Sequence, residues 1–580
     1  MQLGISHYPE YYPANRWKEH FDLLTKGGFN LIRFGESSWA SFQPAADVFC
    51  WDTLDSAIEM SASRGVQVIL GTPTYVPPKW LVDQSPDILP VGIDGRRTVF
   101  GARQHRCFNS PAYLAAADRI AVEMVKRYGR HANVVAWQID NELGGEHKRC
   151  YCDHCCREFH NFLRERYGSI SELNRRWNTA FWGQQYSTFE EIGAPLRFSA
   201  DLDMRHHPAL DLDFQRFSSE SIVRFCSRQY DLMRPHTDRP ITHNTDTFYW
   251  GDNVNIHRLF QKLDVAGIDI YSDKLFEIAF YSDLARSISK SRTFWMMEFG
   301  TRSSGLVDEL EIAKERGCEF FIFFKLLPFP WGQEIDRKAL VTLTGNPEPN
   351  YYVVRKWAAE NATEEPIVLP KASVGLYYNF DSSWAYFVDQ WRPEILVPDR
   401  QIYPRYLIEV VYQTIFDLEL PSDILFEPSG LGDYEYVIVP RHLLYDPVLE
   451  SALLGYVTGG GTLITTTDLF RRNSDNAWLE YVPDIYRSVF GWTSIDFPDD
   501  SVPPEAFQTI QSRLGKGSAY MIHKDAPHAA WNFILSSGKS GSRRRSFNTQ
   551  PQSGECVYDQ RGRAPLLALN GELEQPVTII

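Results

Sequence analysis

The sequence predicts an α/β protein in which a (β/α)₈ barrel is followed by a smaller α/β domain and a short β-rich C-terminal segment. Between Gly4 and about Glu360, eight apolar runs of strand length alternate with amphipathic helical stretches. A proline-containing stretch at 361–371 then separates this region from a second, shorter alternation. Because 580 residues exceed what one hydrophobic core supports, several domains are expected. The predicted boundaries are 1–365 for the barrel, 371–525 for the second domain and 526–580 for the C-terminal segment.

The strands of the first region are short apolar runs, as expected for a parallel sheet that is covered on both faces. Helical stretches separate them, which favours a barrel over a doubly wound sheet. The eight predicted strands are 3–6, 30–34, 66–70, 133–138, 240–243, 263–268, 293–297 and 319–323.

The second region has the pattern of a smaller parallel sheet with helices. Predicted strands at 373–377, 436–439 and 462–465 alternate with helices at 407–416 and 447–457. The polar stretch 536–552 lacks the apolar residues of a packed core and is predicted to be disordered.

Composition excludes some classes of partner. A net charge of −15 argues against nucleic acid or an anionic membrane, since both require a basic surface. No apolar run is long enough to span a bilayer, and Met1–Gly4 leads directly into the first strand without a secretory signal. Aromatic residues make up 14% of the chain, a share that suits pockets for sugar faces as well as ordinary cores.

Two glutamates at strand ends are the candidate catalytic residues. Glu142 follows the fourth strand and Glu298 ends the seventh, at the barrel face where such enzymes keep their chemistry. Either one alone is better explained as a loop acid paired with a basic residue, but the pair predicts a glycosidase. The apolar setting of Glu142 suits a general acid, with Glu298 as nucleophile. Asn141 is placed to bind a sugar hydroxyl. Arg33 either keeps Glu298 ionised or has a purely structural role, and the sequence favours neither.

A cysteine cluster predicts a metal site. Four thiolates with no open position form a closed, structural zinc site, and Cys156 or His154 is an alternative ligand. Clustered thiols also indicate a reducing compartment, which favours a cytoplasmic location. The predicted ligands are Cys107, Cys150, Cys152 and Cys155.

Several motifs together resemble the glycoside hydrolase family 42 β-galactosidases. They are Tyr8-Pro9-Glu10, Gly71–Thr74, Pro77–Leu81, Gln138–Gly144 and Arg176–Trp182. The resemblance implies a retaining β-galactosidase with Glu142 as acid/base, Glu298 as nucleophile, and Arg103, Asn141 and Trp182 in the galactose subsite. It also implies zinc on the four cysteines and a homotrimer. The second domain would then resemble a glutamine amidotransferase without its active residues.

The second half of the barrel departs from that family. Glu334 remains at a sugar-binding position, but Arg337 replaces the histidine that the family carries three residues later. An arginine there would suit a carboxylate or sulfonate. The sequence therefore leaves open the same mechanism on another β-glycone, namely an acidic sugar, β-fucose or β-arabinopyranose. A carbohydrate-binding protein without catalysis is the alternative from a different class.

Overall fold

A computed structural model describes most of the 580-residue chain. The described residues are 2–146, 148–197, 206–248, 252–335, 338–361, 367–388, 402–494 and 509–537.

The first sheet is a parallel barrel, as predicted. Its strands are β1 Gln2–Ser6, β2 Leu31–Phe34, β3 Gln67–Gly71, β4 Val134–Gln138, β5 Ile241–Thr242, β6 Asn244–Thr245, β7 Ala266–Ile270, β8 Phe294–Gly300 and β9 Cys318–Phe324. Neighbouring strands follow the order β5-β4-β3-β2-β1-β9-β8-β7-β6. Only His243 separates β5 from β6, so these two strands form one stave and the sheet closes with eight staves.

Helices cover the outside of the barrel and also occur within the loops that connect its strands. They are α1 Ala14–Lys26, α2 Trp39–Phe42, α3 Asp52–Ala62, α4 Lys79–Gln84, α5 Pro111–Tyr128, α6 Asp153–Tyr167, α7 Ile170–Trp177, α8 Pro208–Met233, α9 Ile256–Phe260, α10 Leu275–Ile288, α11 Leu306–Glu315 and α12 Pro349–Glu360. Inside the barrel, buried side chains of Leu31, Ile69, Ala136, Met297 and Ile322 pack together. The interior is therefore a core, and the site must lie at the end where the strands stop.

Among the described residues, the second sheet has six strands in the order β11-β10-β12-β13-β15-β14, of which the β14–β15 pair is antiparallel and the other pairs are parallel. The strands are β10 Val374–Tyr377, β11 Ser422–Leu425, β12 Tyr436–Val439, β13 Thr462–Thr466, β14 Ile510–Leu514 and β15 Gly517–Ile522. The helices are α13 Phe380–Val388, α14 Ile402–Tyr406, a π-helical turn Leu407–Tyr412, α15 Gln413–Asp417, α16 Pro447–Gly459, α17 Asp484–Phe490 and α18 His528–Ser537. The predicted α/β character of this region is confirmed.

The C-terminal segment is described only in part. Residues 526–537 contain α18, so this portion is helical where the sequence suggested a β-rich segment. The sequence pattern did not indicate this helix, because its apolar stretch covers only ten residues and lies next to a long polar stretch. Residues 538–580, with most of the predicted disordered stretch, lie outside the described residues. Within the described ranges no helix is both long and apolar enough to cross a bilayer.

Buried ion pairs join the barrel to the second sheet. Arg286 on α10 pairs with Asp283 at 2.6 Å and with Asp423 on β11 at 3.0 Å. At another contact, Arg176 on α7 pairs with Asp475 at 2.7 Å. Removing one partner of the buried Arg286–Asp423 pair would leave an uncompensated charge, so single substitutions there should weaken the contact between barrel and second sheet.

Candidate active site

Glu142 lies on a tight loop directly after β4. The backbone φ is 54° at Asp140 and 42° at Glu142, in the left-handed region that non-glycine residues rarely adopt. Gly144 completes the loop with φ 86°, and a Cβ there would lie 2.3 Å from Val254. The loop is secured by Arg106, which donates to the buried Asp140 at 2.5 Å. The carboxyl group of Glu142 is thus delivered to a fixed position.

Glu298 lies on β8, with its side chain directed to the same end of the barrel. Arg33, on β2 and fully buried, donates from Nη1 to Glu298 Oε1 at 2.7 Å. The hydroxyl of Tyr271 donates to the other carboxylate oxygen through a short hydrogen bond. The predicted contact between Arg33 and Glu298 is present. Hydrogen bonds from both sides fix the orientation of the Glu298 carboxyl group.

The two glutamates are close enough for a retaining mechanism. One carboxylate oxygen of Glu142, one of Glu298 and one of Asp269 all lie within 4.8 Å of one another. Retaining glycosidases hold their two carboxyl groups about 5–5.5 Å apart, whereas inverting enzymes need about 6.5–9.5 Å to admit a water. The separation therefore matches double displacement.

The environment of Glu142 suits an acid. Burial, together with the neighbouring charge of Glu298, raises the pKa of Glu142 to about 7, against the opposing effect of Arg103. Its side chain remains partly accessible from the cavity. A carboxyl group with this pKa exchanges its proton near neutral pH, as a general acid and base must.

Residues that sequence reasoning missed connect the two glutamates. Asn244 donates from Nδ2 to Asn141 Oδ1 at 2.9 Å and to Asp269 Oδ2 at 2.7 Å. Arg33 donates to the same Asn141 oxygen at 2.9 Å, and Asn141 Nδ2 donates to Glu142 at 3.3 Å. Asn244 and Asp269 directly follow predicted strands, and Tyr271 comes two residues after Asp269. Extending the strand-end argument to these positions would have found them.

Arg103 connects three carboxylates at the cavity mouth. Its guanidinium contacts Glu142 at 3.2 Å, Glu146 at 2.6 Å and Glu334 at 3.2 Å. Arg103 and Glu334 were predicted sugar contacts, and both lie at the cavity with Asn141 and the two catalytic candidates. Glu146 was not predicted, because it lies on a loop that no motif singled out.

Two further predicted residues are not brought to this cavity. Trp182 is 73% exposed, stacks on Phe181 in a short turn after α7, and is not among the described residues that line the cavity. Arg337 lies outside the described residues. The roles predicted for these two side chains remain predictions.

The cavity has a volume of about 820 Å³, room for more than a single sugar ring. Its walls are aromatic and apolar around a few polar groups, as in most ligand sites. Besides Asn141, Glu142, Glu298, Arg103 and Glu334, the lining includes Tyr8, Tyr11, Trp39, Tyr75, Pro77, Pro78, Phe100, His105, Tyr271, Phe324, Phe329, Trp331 and Ile335.

The four predicted zinc ligands also come together. Ligand atoms of Cys107, Cys150, Cys152 and Cys155 all lie within 4.8 Å of one another, and all four residues are buried. Cys107 Sγ is 3.5 Å from Cys152 Sγ and 3.4 Å from Cys155 Sγ. Tetrahedral zinc with thiolates at about 2.3 Å would separate sulfurs by about 3.8 Å, so the set fits this ion. The cluster joins the loop after β3 to the start of α6.

Comparisons with known proteins agree with this geometry. A family model described as β-galactosidase matches residues 6–358, and one described as β-galactosidase trimerisation domain matches residues 372–525. A β-galactosidase from Thermus thermophilus is 32% identical over 472 residues, which are 76% of this chain and 71% of that protein.

Solved structures have the same architecture. A β-galactosidase from Halorubrum lacusprofundi, at 26% identity, superposes with a TM-score of 0.82 over 93% of this chain and 89% of the other. One from Bacillus circulans, at 22% identity, gives a TM-score of 0.83 over 92% and 88% and shows the shared fold. The matched family model spans more than half of the sequence, and the chain belongs to the glycoside hydrolase family 42 β-galactosidases.

Proposed function

We propose that the protein is a retaining β-galactosidase that hydrolyses terminal non-reducing β-D-galactosides through a covalent glycosyl-enzyme. The observation that carries this proposal is the spacing of Glu142 and Glu298, whose nearest oxygens lie within 4.8 Å. Family membership supplies the glycone, since the relatives bear the name β-galactosidase.

In the first step, a Glu298 oxygen attacks the anomeric carbon while Glu142 gives its proton to the departing glycosidic oxygen. The carbon–oxygen bond to the leaving group breaks as the ester bond to Glu298 forms. In the second step, Glu142 takes a proton from water, the water oxygen attacks the same carbon, and Glu298 leaves as a carboxylate. Two inversions give net retention, and each step returns Glu142 to the state that the next step needs.

Arg103, Asn141 and Glu334 are the proposed galactose contacts within the cavity. The guanidinium and amide groups are hydrogen-bond donors to ring hydroxyls, and Glu334 is an acceptor. Arg103 is paired with Glu142, Glu146 and Glu334, so its charge is compensated by carboxylates of the protein itself. Trp182 and Arg337 stay proposed contacts on the family resemblance alone.

The test uses p-nitrophenyl β-D-galactoside and two variants. Glu298→Ala should reduce kcat by about 10⁴-fold or more, and azide should restore turnover with an α-galactosyl azide as product, because only the nucleophile is missing. Glu142→Ala should instead give the β-galactosyl azide. Full activity of Glu298→Ala would contradict the assignment.

The other readings are less well supported. An acidic glycone would need a cation that is not already neutralised, and within the described cavity lining Arg103 is shared by three carboxylates. A binding protein without catalysis has no use for a buried acid with a pKa near 7 next to an oriented carboxylate. A panel of aryl glycosides separates these readings from a galactosidase.

We also propose a structural zinc ion on the four cysteines. Its thiolates would receive hydrogen bonds from Asn109, through its backbone N–H and its side-chain amide, and from the backbone N–H of Val91. Zinc would supply no chemistry to the reaction. It would fix the loop after β3, from which Gln104 donates to the backbone oxygen of Glu142 at 3.0 Å.

The remaining proposals concern organisation and location. The match of the second domain to a trimerisation domain supports a homotrimer, which sedimentation would test. The matched ranges also support domain limits of 1–365 and 371–525, with a third segment at 526–580. The clustered thiols support a cytoplasmic location, because an oxidising compartment would favour disulfides over zinc binding.

A further inference from the structure

The mouth of the active-site cavity carries large apolar side chains that solvent reaches. Phe100 is 44% exposed, Trp331 49% and Ile335 66%, and all three line the cavity. By contrast, Glu142 and Glu298 at the reacting position are 9% and 6% exposed. The cavity therefore runs from a polar, closed end at the glutamates to an open apolar rim, which we define as Phe100, Trp331 and Ile335.

The rim belongs to two loops that are fastened to each other. Gln333, between Trp331 and Ile335, donates to the backbone oxygen of Gly101 at 2.9 Å. Arg103 on one loop contacts Glu334 on the other at 3.2 Å. These two contacts hold the loops together, and the apolar side chains of both loops line the same cavity.

Two observations place this surface on the leaving-group side of the scissile bond. The loop that carries Phe100 also carries Arg103, which contacts Glu142 at 3.2 Å, and Glu142 is the group that protonates the leaving oxygen. In addition, the buried nucleophile Glu298 attacks the anomeric carbon from the face opposite the leaving group, so the bond that breaks points away from this carboxyl group.

We propose that the rim is a leaving-group subsite for apolar aglycones, so that the preferred substrates are β-galactosides of alkyl or aryl alcohols. This inference rests on the proposed function and names its substrate class. Exposed apolar surface gains free energy when another apolar surface covers it, roughly in proportion to the area removed from water. A sugar leaving group presents mostly hydroxyls to the same surface and gains less.

A series of n-alkyl β-D-galactosides from methyl to hexyl tests the proposal on the full-length protein, below micellar concentrations. The acidity of these alcohols is nearly constant, so chain length changes only apolar contact. We expect kcat/KM to rise about twofold per methylene, as for half-buried methylenes, and about 30-fold from methyl to hexyl. Hexyl β-galactoside should also be a better substrate than lactose.

Variants identify the surface. Phe100→Ser, Trp331→Ser and Ile335→Ser should each lower the hexyl-to-methyl ratio, and the double variant of Phe100 and Ile335 should bring it below about 5. Val99→Ser is the matched control for Phe100, because Val99 is 75% exposed in the neighbouring position but does not line the cavity. Trp478→Ser, at a 66% exposed tryptophan of the second domain, is the control for Trp331. Both controls should keep the wild-type ratio.

The proposal would be overturned if kcat/KM did not rise with alkyl chain length and lactose were the better substrate. This holds whether the rim faces solvent or a second copy of the chain. A rising series that the rim variants leave unchanged would overturn it as well. Neither result would count against the proposed β-galactosidase activity. That activity is tested in the same assay by the turnover of methyl β-galactoside, which Glu298→Ala should abolish. Thermal unfolding of each variant shows that a changed ratio does not come from a misfolded protein.

Discussion

Arg103 Nη2 lies 3.2 Å from Oε2 of Glu142, while Nε of the same guanidinium lies 2.6 Å from Glu146. The positive charge of Arg103, which favours ionisation of Glu142, is therefore shared with the carboxylate of Glu146. Burial and Glu298 raise the pKa of Glu142, and Arg103 opposes them. The acid strength of Glu142 is consequently set by burial, by the nucleophile Glu298 and by Arg103 together.

The pH dependence of hydrolysis should show this acid strength. Glu142 must be protonated to release the leaving group, and its pKa is raised to about 7. It is therefore protonated below pH 7 and loses its proton as the pH rises. We expect kcat/KM for alkyl galactosides to fall about tenfold per unit above pH 7. Glu142→Gln should abolish turnover of alkyl galactosides but retain part of the first step with 2,4-dinitrophenyl galactoside, which needs little acid assistance. A profile with no descent up to pH 9 would contradict this assignment.

Glu146→Gln should move the fall of kcat/KM at basic pH to lower pH values. Removing the negative charge frees Arg103 to act more fully on Glu142, which favours the carboxylate and lowers the pKa of Glu142. We expect a shift of about half a unit, the size of a partly solvent-screened charge effect over several ångströms. Glu165→Gln, at an exposed position of α6, is the control and should leave the profile in place. If the fall of kcat/KM moved to higher pH instead, Glu146 would not counterbalance Arg103.

Asp269 should be replaceable by asparagine. Burial and the charges of Glu298 and Glu142 raise the pKa of Asp269 well above its usual range, which favours its neutral form. Asn keeps an oxygen that accepts from Asn244, and kcat/KM should stay within about threefold of wild type. Asp269→Ala leaves Asn244 without that acceptor, and an unsatisfied buried group at about 1–3 kcal/mol would lower kcat/KM by about 5- to 150-fold. An inactive Asp269→Asn with intact folding would mean that the ionised form is required.

The cysteine cluster should account for one zinc ion per chain. Cys152→Ser should abolish zinc in elemental analysis and lower the unfolding temperature by about 5 °C or more, because structural zinc contributes directly to folding free energy. Cys50→Ser, at an exposed thiol remote from the cluster, should change neither quantity. Wild-type protein purified without chelator that contains no zinc under reducing conditions would refute the site.

Some of the protein could be predicted from its sequence because short-range patterns determine it. Apolar runs of strand length identified the barrel staves, since a strand that is buried on both faces has no polar position. The ends of two such runs identified Glu142 and Glu298 as candidates. Cysteine spacing identified the metal cluster, because three of its members are neighbours on one loop.

Only the tertiary structure decided which remote side chains meet. Arg33, Asn141, Asn244 and Asp269 come from four different staves, and barrel closure makes them neighbours. The sharing of Arg103 among Glu142, Glu146 and Glu334 depends on two loops more than 200 residues apart in the chain. The spacing of apolar residues shows which face of a helix or strand is buried, but it does not show which other part of the chain packs against that face. The pKa of a buried carboxyl depends on those partners, so the protonation state of the site is a property of the fold rather than of any one stretch of sequence.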